Sequence, residues 1–230
     1  MSYWKNEGEL FRLIKEELFT AVIGDIMDKL DLQHQFLPPQ IRPLQADMRI
    51  AGRAMPVLEA DVNSDPLQNG FQHLSDKPFG IMLEALDDMK EHEIYICTGA
   101  SPTYALWGEL MTIRAIKLGA EGAVVNGYSR DTPGIVASNF PVFSYGPFAQ
   151  DQGPRGKVID FRLPVKMDKV DIHPGDIIVG DVDGVCVIPK HAETEVIRLA
   201  LEKARGEKIV RQKISEGMGA KEAFDKYGII

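Results

Sequence analysis

The sequence predicts a mixed α/β domain that is followed by C-terminal helices. Residues 93–127 follow the order strand, helix, strand within about 35 residues, which is the length of a βαβ unit. Residues 156–188 are rich in short apolar strands, and residues 191–227 have the charged, periodic pattern of helices. We therefore expect one α/β domain over residues 1–190, with residues 191–230 as a helical extension of the same domain.

The first part of the chain predicts two helices around one strand. Residues 9–31 carry an apolar stripe at helical spacing, so we expect one helix there. A connection with two consecutive prolines follows, and residues 48–60 have the composition of a strand. Residues 63–77 have the composition of a loop. Residues 78–90 begin with proline and are predicted to form a helix.

The middle of the chain predicts the βαβ unit itself. Residues 93–99 form an apolar run that ends in glycine, and residues 122–127 are wholly apolar, which is typical of a buried parallel strand. The helix between them is expected over residues 106–120. Three apolar residues at helical spacing are expected to face the core from this helix: Leu110, Ile113 and Ile116.

The remaining segments predict a β-rich region and then helices. A turn and a short helix follow Arg130, and residues 140–146 resemble a strand. The last two strands before residue 190 are joined around Asp183-Gly184, a strong hairpin signal. A long helix over residues 191–216 and a short one that stops at Gly228 complete the chain.

Composition excludes several classes of function. The net charge of −8 argues against a nucleic-acid binder, and the sequence contains no apolar run of membrane-spanning length. The first residues are charged throughout, so no signal peptide is expected and we predict a cytoplasmic protein. Cys97 and Cys186 lie in apolar strands and are expected to be buried free thiols. The five histidines form no zinc-binding pattern.

The residues that could take part in binding or catalysis cluster between Gly99 and Asp131. Two strands end there and a helix begins at Gly108-Glu109-Leu110, so both strand ends and the helix N-terminus are expected to meet. Free backbone N–H groups would attract a carboxylate, and Arg130 could clamp it. Glu109 and Asp131 could hold a divalent ion. The alternatives are a glutamate that merely favours the helix dipole and a solvated Arg130–Asp131 pair.

These residues also carry a family resemblance. The run WGELMTIRAIKLGAEGAVVNGYSRDTPGI resembles a family that contains class II 4-hydroxy-4-methyl-2-oxoglutarate/4-carboxy-4-hydroxy-2-oxoadipate aldolases and the RraA-like regulators of RNase E. The segment PGDIIVGDVDGVCVIP is similar to a later motif of that family, and the resemblance covers residues 10–230. It implies a layered α/β/β sandwich, similar to phosphohistidine-swivelling domains.

The resemblance also implies roles for individual residues. It makes Asp131 the metal ligand, Arg130 the contact to the keto acid, and Glu109 an acidic residue beside the waters of the metal. The backbone from Gly108 to Leu110 would receive the pyruvyl carboxylate. The metal would be Mg²⁺ or Mn²⁺. A glutamate of the C-terminal helix, Glu207 or less closely Glu202, would reach a neighbouring subunit's site.

Two positions depart from the family pattern. Asn126 replaces the usual aspartate before Gly127, and we expect it to have a structural role. The segment before the helix is SPTYALWG instead of a glycine-rich sequence. Tyr104 and Trp107 are therefore expected to reshape the pocket and alter the choice of substrate.

We expect a metal-dependent lyase that releases pyruvate from a 4-hydroxy-2-oxo acid, with oxaloacetate decarboxylation as a side activity. The alternative is a non-enzymatic RraA-like regulator that binds RNase E or a helicase. A methyltransferase is disfavoured because no glycine-rich loop for S-adenosylmethionine is present. The expected assembly is a homotrimer or a hexamer. A charged run, residues 202–208, interrupts the apolar stripe of the long helix, as a change of packing partner would require.

Overall fold

A computed structural model of the protein describes residues 3–62 and 77–228. The N-terminal part contains α1 (Glu7–Glu17), α2 (Thr20–Lys29), β1 (Arg42–Pro43) and β2 (Ile50–Asp61). The middle contains α3 (Met82–Asp87), β3 (Glu93–Thr98), β4 (Ala105–Trp107), α4 (Glu109–Lys117), β5 (Gly122–Val125), β6 (Tyr128–Ser129), α5 (Thr132–Ala137) and β7 (Val142–Ser144). The last part contains β8 (Gly156–Phe161), β9 (Val165–Met167), β10 (Val170–Ile172), β11 (Ile177–Asp181), β12 (Gly184–Ile188), α6 (Glu193–Ser215) and α7 (Ala220–Tyr227).

One mixed sheet organises the fold. Its strand order is β1-β7-β5-β3-β2-β11-β12, and β8 pairs with the second half of β2. The central strands β2, β3, β5 and β7 run parallel, as the βαβ pattern predicts. The outer pairs of β1 with β7, β11 with β2, and β11 with β12 are antiparallel. The carboxyl ends of the parallel strands therefore meet at one edge, where a ligand site is expected.

The side chains of this sheet alternate between two packing layers. Tyr95, Cys97 and Val125 face α3, α4 and α5 in one apolar cluster. Ile94 and Ile96 face the opposite way, toward the hairpin of β9 and β10. A third cluster packs α1, α2 and α6 against β11 and β12. This arrangement of helices, sheet and second β layer confirms the layered α/β/β architecture with C-terminal helices.

The predicted helix over residues 9–31 is wrong in one respect, because it is two helices. The backbone is extended at Leu18 and Phe19, so α1 ends and α2 begins anew at Thr20. The break is fixed by β11. The buried Asp181 carboxylate accepts hydrogen bonds from the Thr20 backbone N–H at 2.8 Å and from its hydroxyl at 2.7 Å. A distant carboxylate thus satisfies the amino end of α2.

The predicted orientation of α4 is also wrong. Leu110 is 79% exposed, and Ile113 and Ile116 are exposed as well. Thr112 and Ala115 face the core instead, and the buried Trp107 indole donates a 2.7 Å hydrogen bond to the Thr112 hydroxyl. The helix is also shorter at its start than predicted, since residues 105–107 form β4.

Several local predictions are confirmed. The hairpin of β11 and β12 turns through Val182 and Asp183, with Gly184 in the positive-φ region that favours glycine. Gly228 has a left-handed conformation and ends α7. Cys97 and Cys186 are buried free thiols. The predicted helix over 78–90 is limited to α3.

The remaining predictions are partly outside the structure or modified by it. The predicted loop over residues 63–77 falls almost entirely outside the described ranges. The buried stripe of α6 includes Ala200, Leu201 and Ala204. Because Ala204 lies within residues 202–208, the charged run does not interrupt the stripe at the point where the run begins. Within residues 3–62 and 77–228, none of the helices combines the length and apolar composition that crossing a membrane requires.

Candidate active site

The site begins with two short parallel strands that sequence analysis did not predict. β4 and β6 pair in parallel, with Ala105 opposite Tyr128 and Trp107 opposite Ser129, so the register shifts between Ala105 and Trp107. Each strand is followed at once by the residues of interest, Gly108 after β4 and Arg130-Asp131 after β6. The Arg130 backbone N–H donates to the Trp107 carbonyl at 2.9 Å. The predicted meeting of the helix N-terminus and the Arg-Asp pair is therefore present.

Glycine at position 108 allows two segments of the chain to approach each other closely. A Cβ atom at this position would lie 2.8 Å from Asp131 Oδ2 and 3.6 Å from Arg130 Cγ. Without a side chain, the amino end of α4 stays open toward these two residues. The Glu109 backbone N–H is directed at Asp131 Oδ2, at 3.4 Å.

Asp131 has a backbone conformation that is uncommon for a residue other than glycine. Its φ of 58° lies in the left-handed region, at the position that precedes α5. Its carbonyl accepts from the N–H groups of Gly134 and Ile135, but its side chain forms no capping bond to α5. The carboxylate is turned toward α4 instead. Such a conformation at a cavity is typical of a functional position.

Arg130 is held between two carboxylates. Its Nη1 lies 2.6 Å from Asp151 Oδ1, and its Nε lies 3.7 Å from Asp131 Oδ2. All three side chains remain between about a third and a half exposed, so the pair with Asp151 can exchange for an incoming anion. Sequence analysis did not identify Asp151, because its loop carries no recognisable motif.

Glu109 takes a different direction from the other candidates. A Cβ atom on Gly134 would lie 2.2 Å from Glu109 Cδ, so the glutamate side chain lies directly over the first turn of α5. In the described part of the chain, the cavity is lined by Gly108, Leu110 and Met111 of this helix end, but not by Glu109.

A cavity of about 410 Å³ opens beside these residues, a size typical of small-molecule sites. One end is polar and is formed by Gly108, Arg130, Asp131, Asp151 and Gln152. The rest of the lining is mainly apolar, with Phe79, Met82, Leu83, Leu86, Leu106 and Met111, and it includes the ion pair of Asp87 and Arg114. Trp107 lines the cavity too, as the departure from the family pattern suggested, whereas Tyr104 lies behind it.

Sequence analysis missed an acidic cluster next to Gln152 of the cavity lining, formed by the buried Glu59 and the exposed Asp61. Glu59 is 2% exposed on β2 and its Oε1 has no hydrogen-bond partner. Burial raises the pKa of the Glu59 carboxyl to about 8, and the neighbouring Tyr104 and Cys97 side chains offset this only in part. The Tyr104 hydroxyl donates to Asp61 at 2.9 Å. A lone glutamate in an apolar strand was the available signal.

Gln152 connects this cluster with the cavity. Its amide lies near enough to Glu59 to favour the charged form, yet its Nε2 is buried and forms no hydrogen bond within 3.5 Å. Gln152 also lines the cavity. A buried amide donor without a partner is uncommon and marks a place where a ligand or water atom would be stabilised.

Asn126 and the C-terminal glutamates lie away from the cavity in this chain. Asn126 donates to Thr98 at 3.1 Å and accepts from Tyr145 at 2.8 Å, which is a structural role. Glu207 is paired with Lys203 at 3.1 Å, and Glu202 with Arg198 at 2.8 Å. Their helix packs in the cluster with α1 and α2, a different layer from α4.

Comparison with known proteins identifies the family. Residues 20–187 match the RraA-like family model, described as Aldolase/RraA. This chain belongs to the RraA-like family. The resemblance inferred from the Arg130 segment is thereby confirmed.

Relatives within the RraA-like family differ in what their names say. A protein of Halalkalibacterium halodurans named "Putative 4-hydroxy-4-methyl-2-oxoglutarate aldolase" is 30% identical over 206 residues, 89% of each chain. Protein DlpA of Legionella pneumophila is 27% identical over 210 residues, but this chain spans only 32% of its length. The solved structure of Streptomyces coelicolor RraAS2, titled an unusual member of the RNase ES inhibitor RraA protein family, has a TM-score of 0.77. The alignment covers 91% of this chain and 100% of RraAS2 at 18% identity, so it shows the fold alone.

Proposed function

We propose that this protein is a divalent-metal-dependent carbon–carbon lyase that cleaves a 4-hydroxy-2-oxo acid to pyruvate and a second carbonyl compound. The observation that carries the proposal is the meeting of Arg130, Asp131 and the amino end of α4 at the polar end of one cavity. The aldolase names of several relatives support the same class of reaction.

The amino end of α4 provides the binding site for the pyruvyl carboxylate. The first intrahelical bond there runs from the Thr112 N–H to the Gly108 carbonyl. The N–H groups of Leu110 and Met111 precede it, so they have no partner within the helix. Together with the helix dipole they favour a carboxylate at this point. Leu110 thus contributes its backbone while its side chain stays exposed.

The donor set fits a hard cation that keeps most of its water. Among the described residues, no group of three or more His, Cys, Asp or Glu side chains is arranged around one point. A closed zinc-type site is therefore not formed, whereas Mg²⁺ is commonly bound through one or two carboxylates and water. Asp131 would hold Mg²⁺ or Mn²⁺, with Glu109 as a more distant contact through water. The ion would polarise the 2-oxo group of the substrate.

The residues of the chain would act on the substrate as follows. A water molecule in the cavity takes the 4-hydroxyl proton, and the O–H electron pair forms the new carbonyl bond at C4. The C3–C4 bond breaks, its electron pair moves to C3 and the 2-oxo oxygen, and the same water later returns the proton to C3. The negative oxygen that develops lies within reach of the Arg130 guanidinium, which stabilises it. The enolate then takes a proton at C3 to give pyruvate. Loss of carbon dioxide from oxaloacetate produces the same enolate, so that reaction is an expected side activity.

Asp151 has a defined part in this scheme. Its ion pair with Arg130 neutralises the guanidinium while the cavity is empty of substrate. An incoming 2-oxo acid exchanges with Asp151 for the same Nη1 atom. The exchange costs little because the pair is exposed to solvent, where such pairs contribute about 0.2–1 kcal/mol.

Association of several copies would explain the exposed apolar face of α4. Leu110, Ile113 and Ile116 lie on this face. Apolar residues at helical spacing are costly to leave in water, so a second copy of the chain is the proposed occupant. A cyclic trimer, or a hexamer of two trimers, would cover the face in every subunit.

A neighbouring subunit would also bring an acidic residue to the site. Glu207 is the proposed contributor and Glu202 the alternative, since both lie far from the cavity within their own chain. Mixing an Asp131→Ala variant with a Glu207→Ala variant should restore part of the activity. Failure to restore any activity after the subunits have demonstrably exchanged would refute this sharing.

A non-enzymatic regulator that binds RNase E or a helicase is the alternative. It is supported by likeness of fold to RraAS2, at 18% identity. A protein that acts only through its surface has no need of an arginine and an aspartate in a cavity of small-molecule size. The enzyme is therefore the proposed function.

The test is pyruvate release from a panel of 4-hydroxy-2-oxo acids with Mg²⁺ present. Asp131→Ala should abolish the metal-dependent activity and leave the protein folded. Asp168→Ala is a matched control, because Asp168 has the same left-handed backbone, with φ of 54°, in the turn between β9 and β10. Both substitutions place alanine in a left-handed backbone conformation and should reduce stability by the same amount. Equal activities of the two variants would therefore contradict the role of Asp131.

A further inference from the structure

We infer that the substrate carries an apolar group, alkyl or aryl, at the end remote from the 2-oxo acid, in place of a second carboxylate. The inference rests on the proposed function for the position of the 2-oxo acid end. It adds the chemistry of the other half of the substrate. The name of the Halalkalibacterium halodurans relative describes a substrate with two carboxylates, so the inference separates this chain from that relative.

The part of the cavity lining around α3 forms an apolar wall, and it lies along α4 away from the amino end, since Asp87 of α3 pairs with Arg114. Phe79, Met82, Leu86 and Leu106 line it, and all but Phe79 are buried. Leu83 lines its outer rim and is 56% exposed. A substrate chain that starts at the amino end of α4 and extends across the cavity would place its remote end on this wall. Transfer of an apolar group to such a wall is favourable, and transfer of a carboxylate is unfavourable.

The charges of the cavity are unsuited to a second carboxylate. Among the described residues that line it, the cations are Arg114 and Arg130 and the anions are Asp87, Asp131 and Asp151. Arg114 already pairs with Asp87 through Nε at 2.7 Å. Arg130 is needed for the 2-oxo acid end. The lining thus carries three anions against two cations, and a second carboxylate would add to that excess, whereas an apolar group would not.

A neutral amide side chain, that of Gln152, also lines the cavity. Gln152 is 5% exposed and has a buried amide nitrogen without a hydrogen-bond partner. An amide N–H matches a hydroxyl or carbonyl oxygen.

The experiment measures binding of two 2-oxo acids that lack a 4-hydroxyl group and so cannot be cleaved. Calorimetry with Mg²⁺ present would compare 2-oxo-4-phenylbutanoate, which has an apolar end, with 2-oxoglutarate, which has a second carboxylate. Burial of the phenyl group should make the first bind at least about tenfold more tightly. Equal binding, or tighter binding of 2-oxoglutarate, would overturn the inference.

A charged variant tests the wall directly. Leu83→Arg adds a cation at the rim and should bring the two dissociation constants to within about threefold of each other. Val182→Arg is the matched control, because Val182 is 52% exposed at the tip of the hairpin of β11 and β12. It should keep the tenfold preference. A preference unchanged in Leu83→Arg would contradict the assigned wall.

Pyruvate release then separates the inference from the proposed function. Tight binding of 2-oxo-4-phenylbutanoate without pyruvate release from any 4-hydroxy-2-oxo acid would support the apolar compartment and refute the lyase. Pyruvate release that is faster from 4-hydroxy-4-methyl-2-oxoglutarate than from 4-hydroxy-4-phenyl-2-oxobutanoate would support the lyase and refute the apolar compartment.

Discussion

Replacing the buried Glu59 by glutamine should stabilise the protein at alkaline pH. Glu59 is 2% exposed, and its Oε1 has no hydrogen-bond partner. Burial raises the pKa of its carboxyl from an ordinary 4.5 to about 8. Between these two values the folded protein keeps a proton that the unfolded chain has lost. Stability therefore falls as pH rises through this window and levels off above the folded pKa.

The magnitude follows from the two pKa values. Each pH unit within the window costs about 1.4 kcal/mol. From about pH 6 to about pH 9 the wild-type protein should lose about 3 kcal/mol of unfolding free energy through Glu59 alone. Glutamine has the same shape and no proton to lose, so Glu59→Gln removes this dependence.

Urea unfolding at about pH 6 and about pH 9 measures this directly. The difference in unfolding free energy between Glu59→Gln and wild type should grow by about 3 kcal/mol across that range. Glu195→Gln, which makes the same change on the exposed start of α6, serves as the control and should follow the wild type. A difference that stays constant with pH, or one that shrinks, would refute a buried and protonated Glu59.

Three further predictions concern the cavity and the assembly. Arg130→Lys should reduce kcat/KM about 100-fold for every accepted 2-oxo acid, because a point charge does not replace a planar guanidinium; Arg205→Lys, which changes an exposed ion pair with Glu17, is the control. Asp151→Asn should lower KM by up to about fivefold with little change in kcat, since Arg130 loses a competing partner; a higher KM would contradict the exchange. Ile113→Asp should convert the oligomer to a smaller species in light scattering, and a wild-type protein that is monomeric at micromolar concentration would refute the assembly.

Local signals in the sequence were sufficient for the parts of the fold that depend on neighbouring residues. The apolar run of β5 predicts a buried parallel strand because both of its faces are covered. The Asp183-Gly184 pair predicts the last hairpin because glycine adopts positive φ there at little cost. The cluster of Gly108, Arg130 and Asp131 was predictable because the carboxyl ends of parallel strands meet at one edge.

Other features depend on contacts between distant segments, which periodicity does not contain. The apolar residues of α4 have the spacing of a core stripe, yet the opposite face, with Thr112 bonded to Trp107, is turned inward. The break between α1 and α2 depends on Asp181, which is 161 residues from Thr20. Asp151 and Gln152 reach the cavity from a loop whose composition resembles any solvated turn.

The central claim is that Arg130 and Asp131 form a lyase site, and steady-state pyruvate release tests it most directly. The wild-type protein with saturating Mg²⁺ should release pyruvate from at least one 4-hydroxy-2-oxo acid. Removal of the metal by a chelator should abolish that activity, and Arg130→Lys should reduce kcat/KM about 100-fold. Pyruvate release that is unchanged by both the chelator and the Arg130 substitution would contradict the claim. So would the absence of pyruvate release across a panel with both apolar and carboxylated substrates.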